Sequence, residues 1–139
     1  MSIPDSVRDL LATGPLAHLT TIGPDGGPQV TLVWMGVEDD ELVCAHMTDR
    51  QKLKNVRRDP RVVVSFIGPE RNAMGLQEYV VAYGDARITE GGAADLLQRL
   101  AHIYIGPDAV FPPPSVRDLP GFILRIKPER FTGLGPWAK

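Results

Sequence analysis

Residues 49–61 form the segment of this sequence best equipped for chemistry. They read Asp-Arg-Gln-Lys-Leu-Lys-Asn-Val-Arg-Arg-Asp-Pro-Arg and contain six lysines and arginines, in a chain whose formal net charge is −2. Arginine offers a two-pronged hydrogen-bond donor to a phosphate or carboxylate, and lysine offers a compact positive charge. The free N–H groups at the start of a helix would add to anion binding. The segment therefore predicts a site for an anion.

The same segment predicts how a helix would present these charges. Leu53 and Val56 lie three residues apart and would form the inner edge of such a helix. Lys52 lies beside that edge on one side, and Arg50 and Arg57 lie on the other. At least one cation can then reach a groove instead of bulk water. Spacing alone also fits a basic helix whose charges are only solvated, because charge runs on helices usually are.

The elements that must position this helix are short and separated by glycine and proline. Residues 23–27, Gly-Pro-Asp-Gly-Gly, predict a hairpin turn. We predict a first helix ended by Gly14, helices over residues 49–58 and 92–104, and strands over residues 16–22, 29–37, 41–47, 61–67, 77–88 and 121–131, with a bend or bulge near Gly84. The predicted fold class is α+β, a six-stranded antiparallel barrel with helices at its rim.

Composition and charge narrow the class of protein. A chain of 139 residues fits one domain, spanning residues 1–139. The slightly negative net charge argues against a broad surface for nucleic acid. Cys44 is the single cysteine, so no intrachain disulfide can form. No signal peptide is recognisable, and no apolar run approaches the roughly 20 residues that span a bilayer. We expect a soluble, cytoplasmic protein that binds neither nucleic acid nor membrane.

Residues typical of metal or nucleophilic catalysis are sparse. His18, His46 and His102 are scattered and share no metal-ligand spacing. Glycine-rich nucleotide loops and a Gly-x-Ser-x-Gly motif are absent from the sequence. Ser65 and Ser115 have no recognisable base nearby. The sequence thus predicts no metal site and few acid–base side chains.

Three stretches resemble a known superfamily. The Gly-Pro-Asp-Gly-Gly-Pro-Gln hairpin leads to a strand containing Leu-Val-Trp, and Arg-x-Lys-x-x-Asn-Val-Arg-Arg-Asp-Pro-Arg-Val follows one strand later. The chain closes on Arg-Phe-Thr-Gly-Leu-Gly-Pro-Trp. This order resembles the pyridoxamine 5'-phosphate oxidase-like split-barrel superfamily, and within it the F420-dependent branch of class B flavin/deazaflavin oxidoreductases. The resemblance implies an FMN-binding type of split barrel and covers nearly the whole chain.

The resemblance also implies a homodimer with two cofactor sites at its interface. The implied cofactor-binding positions are Gln29, Thr31, Val33 and Trp34 beside the ring, Met47 and Thr48 at the strand edge, and Arg50, Lys52, Asn55 and Arg57 at the phosphate and polar ring positions. From the other chain, Tyr79 and Trp137 are expected to close the pocket. Trp137 is hard to explain by packing within its own chain, and Tyr79 is also a candidate proton donor.

The implied function is hydride transfer from reduced F420 to an activated double bond of a small organic substrate, and the scarcity of acid–base residues suits such cofactor-borne chemistry. The choice of F420 rests on the branch resemblance. One alternative is an FMN-dependent oxidase or reductase of the pyridoxamine phosphate oxidase type. Another is a non-catalytic carrier that binds F420, FMN or haem without turnover. Loops over residues 68–76 and 106–119 are expected to set substrate specificity.

Overall fold

Burial alternates along the strands, as expected for a sheet with one covered face. In the computed structural model, which describes residues 2–138, strand β1 (Ala17–Ile22) buries every second residue. Strands β5 (Arg61–Arg71) and β6 (Gln77–Glu90) alternate in the same way. Their inward side chains form the main core with the buried residues of helix α1 (Asp5–Leu11).

All strands within residues 2–138 join one antiparallel sheet in the order β2-β1-β5-β6-β7-β4-β3. The remaining strands are β2 (Pro28–Val33), β3 (Gly36–Glu38), β4 (Glu41–His46) and β7 (Phe122–Leu134). Helix α2 (Gln51–Arg58) lies against β1 and β6, and helix α3 (Ala93–Tyr104) packs on β4 as a second core cluster. The α+β class with peripheral helices is confirmed. Within the described residues, no helix has both the length and the apolar character needed to cross a membrane.

The sheet has seven strands rather than the predicted six, because the segment expected as one strand over residues 29–37 is interrupted. β2 ends at Val33 and pairs with β1, whereas β3 begins at Gly36 and pairs with β4 at the far end of the sheet order. Tyr104 stabilises the interruption. Its hydroxyl accepts a hydrogen bond from the Met35 N–H at 3.0 Å and donates one to the Pro15 carbonyl at 2.7 Å.

The long β5–β6 hairpin replaces part of a predicted loop. β5 continues to Arg71, past the predicted end at residue 67, and the turn is closed by Asn72, whose Oδ1 accepts from the N–H groups of Met74 and Leu76. The predicted irregularity at Gly84 is confirmed, since the register of β6 against β7 shifts between Tyr83 and Gly84. A Cβ at Gly84 would overlap the carbonyl oxygen of Lys127, so glycine allows the two backbones to approach at this bulge.

Substitution at this bulge tests the role of the close approach. We expect Gly84→Ala to lower the free energy of unfolding by about 1–3 kcal/mol, because the added methyl group meets backbone atoms that cannot rotate away. Gly106→Ala is the matched control, since a Cβ at Gly106 meets no atom within 4 Å. Denaturant unfolding of both variants and the wild type measures the effect. Equal stability of Gly84→Ala and Gly106→Ala would contradict this account.

Candidate functional site

A cavity of about 640 Å³ opens between the β1–β2 hairpin, the end of β4 and the start of α2. Its size lies in the range of small-molecule and cofactor sites. One wall is the inner face of the hairpin, where Thr21 lies opposite Gln29 and, two positions inward on the same face, Thr31 lies opposite Leu19. The Gly23 N–H donates to the Gly27 carbonyl at 2.7 Å and closes the turn that fixes this register.

The apolar end of the cavity is aromatic. Trp34 lies where β2 ends, and its ring stacks on Tyr104 at a centroid distance of 5.5 Å and an interplanar angle of 13°. Phe111 packs edge-on against the same indole at 5.2 Å. Gln98 holds the loop that carries Phe111 in place, since its Oε1 accepts from the Phe111 N–H at 3.1 Å and its Nε2 donates to the Ala109 carbonyl at 2.7 Å. This end of the cavity suits a planar apolar group.

The opposite edge of the cavity is cationic. Arg50, at the N-cap of α2, and the half-buried Lys52 both line it. Burial lowers the pKa of Lys52 and the charge of Arg50 lowers it further, whereas Cys44 acts in the opposite direction. A bound anion would reverse this destabilisation of the ammonium group, because an opposite charge favours the charged form. The edge is therefore arranged to accept a negative charge.

His46 lines the cavity between these cations and the core. Burial lowers its pKa to about 4, and the charges of Lys52 and Arg50 act in the same direction. Burial raises the pKa of the Cys44 thiol to about 12. The protonated thiol, with Sγ 3.6 Å from Nε2 of His46, can donate to that nitrogen and leave the imidazole proton on Nδ1. His46 is thus a neutral hydrogen-bonding group at neutral pH.

A buried hydrogen-bond network lies behind the hairpin wall. Asn55 is fully buried, and its Nδ2 donates to Thr21 Oγ1 at 3.0 Å and to Gln29 Oε1 at 2.8 Å. Gln51 Nε2 donates to Asn55 Oδ1 at 2.9 Å. Asn55 itself does not line the cavity. It acts on the cavity through the side chains that it orients.

The structure brings most of the residues implied by the resemblance to this cavity. Those that line it are Gln29, Thr31, Val33, Trp34, Met47, Thr48, Arg50 and Lys52. Asn55 lies behind the wall, and Arg57 faces away, with its Nη1 bonded to the Asp49 carboxylate at 3.0 Å and its guanidinium 5.6 Å from the centre of the Phe122 ring. The predicted role of Arg57 in contacting a ligand in this cavity is not supported by that geometry.

Tyr79 and Trp137 lie outside this cavity. Tyr79 is 43% exposed, on the outer face of the sheet. The expectation that Trp137 is free to reach another chain is wrong, because its ring is only 5% exposed and belongs to the main core. Its Nε1 donates to the Tyr79 carbonyl at 2.7 Å. The ring packs over Gly68, where an added Cβ would lie 3.6 Å from it.

Several lining residues were missed from the sequence, among them Thr21, His46, Gln51 and Leu97, whereas Phe111 and Val116 lie in the 106–119 loop that was expected to set specificity. The hairpin turn could have found Thr21, because a turn over residues 23–27 pairs Thr21 with Gln29. Phe111 and Val116 come from the proline-rich loop, whose path no local pattern fixes. Within residues 2–138, no group of three or more His, Cys, Asp or Glu side chains could hold a metal ion.

Comparison with known proteins gives the family. The sequence pattern described as pyridoxamine 5'-phosphate oxidase matches residues 3–135. The chain belongs to the pyridoxamine 5'-phosphate oxidase family. Among curated proteins there is no match.

Three solved structures are similar to the chain. An F420 reductase is 29% identical, with 94% of this chain and 98% of that chain covered and a TM-score of 0.74. A conserved hypothetical protein of Mycobacterium tuberculosis, Rv2991, is 27% identical, with 96% and 85% covered and a TM-score of 0.73. HupZ of Group A Streptococcus is 23% identical, with 99% and 98% covered and a TM-score of 0.68. At this identity the likeness supports only a shared fold. The chain therefore has the flavin-binding split-barrel fold of an oxidoreductase family.

The buried imidazole makes a testable contribution to stability. Below pH 6.5 the unfolded chain protonates His46, whereas the folded chain resists this until about pH 4, so stability falls as the pH drops through that window. Between pH 6.5 and 4 we expect the free energy of unfolding of His46→Gln to fall by up to about 3 kcal/mol less than that of the wild type. Unfolding free energies between pH 4 and 7 measure it. The exposed variant His102→Gln should follow the wild type, and an identical acid profile for His46→Gln would refute the assignment.

Proposed function

We propose that this chain is an F420-dependent oxidoreductase that reduces an activated double bond of a small organic substrate. The observation that carries the proposal is the cavity with an aromatic end, a flat polar sheet wall and a cationic edge in one continuous space. A tricyclic ring with an anionic side chain matches those three surfaces. The likeness to an F420 reductase over nearly the full length of both chains supports F420 as the ligand.

The residues of the cavity fit such a cofactor. Lys52 and Arg50 would take the anionic part, because both line the cavity beside the start of α2. The Thr31 hydroxyl is buried in the wall with no hydrogen-bond partner within the described residues. A buried polar group without a partner is costly, so Thr31 is prepared to bond a ligand atom.

When bound, reduced F420 supplies the hydride. The chain's own side chains bind, orient and shield the ring. Trp34 and Phe111 form an apolar end that would shield a bound ring from water, and the side chains of the hairpin wall would position the ring. Burial keeps His46 neutral at neutral pH in the ligand-free chain, and reduction of the double bond also needs a proton. Solvent, or Tyr79 of a second chain, supplies that proton in our proposal.

FMN is the second candidate, and the family match favours it. The phosphate of FMN would use the same cationic edge, so the cavity alone does not discriminate between the two cofactors. A carrier would bind the cofactor without consuming it, whereas an F420-dependent or an FMN-dependent enzyme would consume the reduced cofactor. The experiment must therefore compare both ligands and follow their consumption.

A homodimer completes the proposal. Val30, Leu32, Ile67 and Tyr79 are 63, 56, 58 and 43% exposed, and the strand register places them together on the outer face of the sheet. Exposed apolar surface of this extent marks an interaction site. Leu32 also lines the mouth of the cavity, so a second copy that covers this face would border the ligand. We propose that two copies of the chain pair through this face.

Cofactor titration tests the function. We expect F420 to quench intrinsic tryptophan fluorescence, because Trp34 lines the cavity. We expect F420 to bind more tightly than FMN, in line with the likeness to an F420 reductase. Lys52→Met should weaken binding by roughly ten- to a hundredfold, the usual effect of losing a hydrogen bond to a charged group. Lys54→Met, an exposed position outside the cavity, is the matched control.

The outcomes separate the candidates. Consumption of reduced F420 with a panel of enones supports the reductase. Tighter binding of FMN supports the second candidate, and tight binding of F420 without consumption supports a carrier. Binding of neither ligand, or equal losses for Lys52→Met and Lys54→Met, would overturn the proposal.

Oligomeric state tests the pairing face. We expect the wild type to be a dimer in sedimentation or light-scattering measurements. Ile67→Asp should shift it toward the monomer, because it buries a charge in the proposed apolar contact. Ile105→Asp, at a side chain 61% exposed beyond the end of α3, should leave it a dimer. A monomeric wild type would contradict the proposal.

A further inference from the structure

In the hydrogen-bond network behind the hairpin wall, it is defined which atoms donate and which accept. Arginine can only donate hydrogen bonds. Arg58 Nη2 lies 2.6 Å from the Ile22 carbonyl oxygen and 3.4 Å from the Asn55 side chain. The Asn55 atom that faces this guanidinium must therefore be Oδ1, and the Nδ2 group must face the sheet. Gln51, which donates to the same Oδ1 through its Nε2, fits this orientation.

This orientation determines which hydrogen atoms remain free at the cavity wall. The two hydrogens of Asn55 Nδ2 are used by Thr21 Oγ1, at 3.0 Å, and Gln29 Oε1, at 2.8 Å. Thr21 therefore accepts on its oxygen and retains its own O–H hydrogen. Thr21 is 1% exposed, lines the cavity and has no acceptor for that hydrogen among the hydrogen bonds of residues 2–138.

A second buried hydroxyl lies on the same wall. Thr31 Oγ1 has no hydrogen-bond partner within the described residues. Thr31 pairs with Leu19, two residues before Thr21, so both hydroxyl-bearing residues belong to the inner face of the hairpin. Two buried hydroxyls on one face with unused bonding capacity indicate that the wall is built to bond an acceptor atom of a ligand.

We propose that Thr21 is a specificity-determining hydrogen-bond donor to a carbonyl or anionic oxygen of the bound tricyclic ring, and that Asn55, oriented by Arg58, is the positioning residue that keeps Thr21 a donor. This inference rests on the proposed function and deepens it, because it assigns the wall that recognises the ring rather than its anionic side chain. Ligands that present a donor to Thr21 would bind more weakly, since the hydroxyl hydrogen would then be left without an acceptor in the buried wall.

Isosteric variants of Thr21 provide the first test. Thr21→Val removes the hydroxyl and should weaken binding of F420 or FMN, whichever the wild type binds more tightly, by roughly three- to tenfold. Thr21→Ser keeps the hydroxyl and should restore binding to within about twofold of the wild type. Thr89→Val, in β6 and outside both the cavity and the proposed pairing face, is the matched control, and it should bind as the wild type does.

A double-mutant cycle tests whether the hydrogen bond from Asn55 keeps Thr21 a donor. Asn55→Asp replaces the donor with an acceptor of the same shape, so the Thr21 hydroxyl would turn toward the carboxylate. Thr21→Val should then cause no further loss of ligand affinity in the Asn55→Asp background, while the direct effect of the new charge cancels in the cycle. The Thr21→Val and Thr21→Ser pair decides the inference even if Asn55→Asp fails to fold.

The two levels of the proposal fail differently. If the wild type binds one of the ligands and Thr21→Val binds it equally well, the inference is overturned and the proposed function stands. Equal losses for Thr21→Val in both backgrounds would overturn the positioning role of Asn55. If the wild type binds neither F420 nor FMN, the proposed function and the inference fail together.

Discussion

Helix α2 is anchored to the sheet by Leu53 and Val56, whose side chains are 0 and 3% exposed. Burial of each such side chain contributes on the order of 1.5–3 kcal/mol. This anchoring turns Asn55 inward and brings Lys52 to the cavity, while Arg57 faces out to Asp49. A helix rotated on its axis would exchange these roles. The contact of α2 with the sheet therefore determines what the cavity can bind.

The cavity combines surfaces from distant parts of the chain. The hairpin wall is local, since Thr21 and Gln29 face each other across a short turn. The aromatic end instead depends on Tyr104, which supports Trp34 from behind and bonds the backbone of Met35. The same contacts that interrupt the second predicted strand thus also build one end of the site.

Local pattern predicted the parts of the molecule that local physics determines. The three-residue spacing of Leu53 and Val56 gave the inner edge of α2, and Gly84 was recognised as an irregularity of its strand. The break between Val33 and Gly36 was missed, because its cause is a hydrogen bond from Met35 to a side chain 69 positions away. Trp137 was misjudged for a related reason. Its ring packs in the main core and its Nε1 donates to the carbonyl of Tyr79, in a strand far from it in sequence.

A crystal structure with F420 bound tests the central claim most directly. We expect a ring lying along the inner face of the β1–β2 hairpin, with its anionic side chain beside Lys52 and an acceptor oxygen within hydrogen-bond distance of Thr21 Oγ1. A ring bound on the outer face of the sheet, or one whose anionic group lies remote from Lys52, would contradict it.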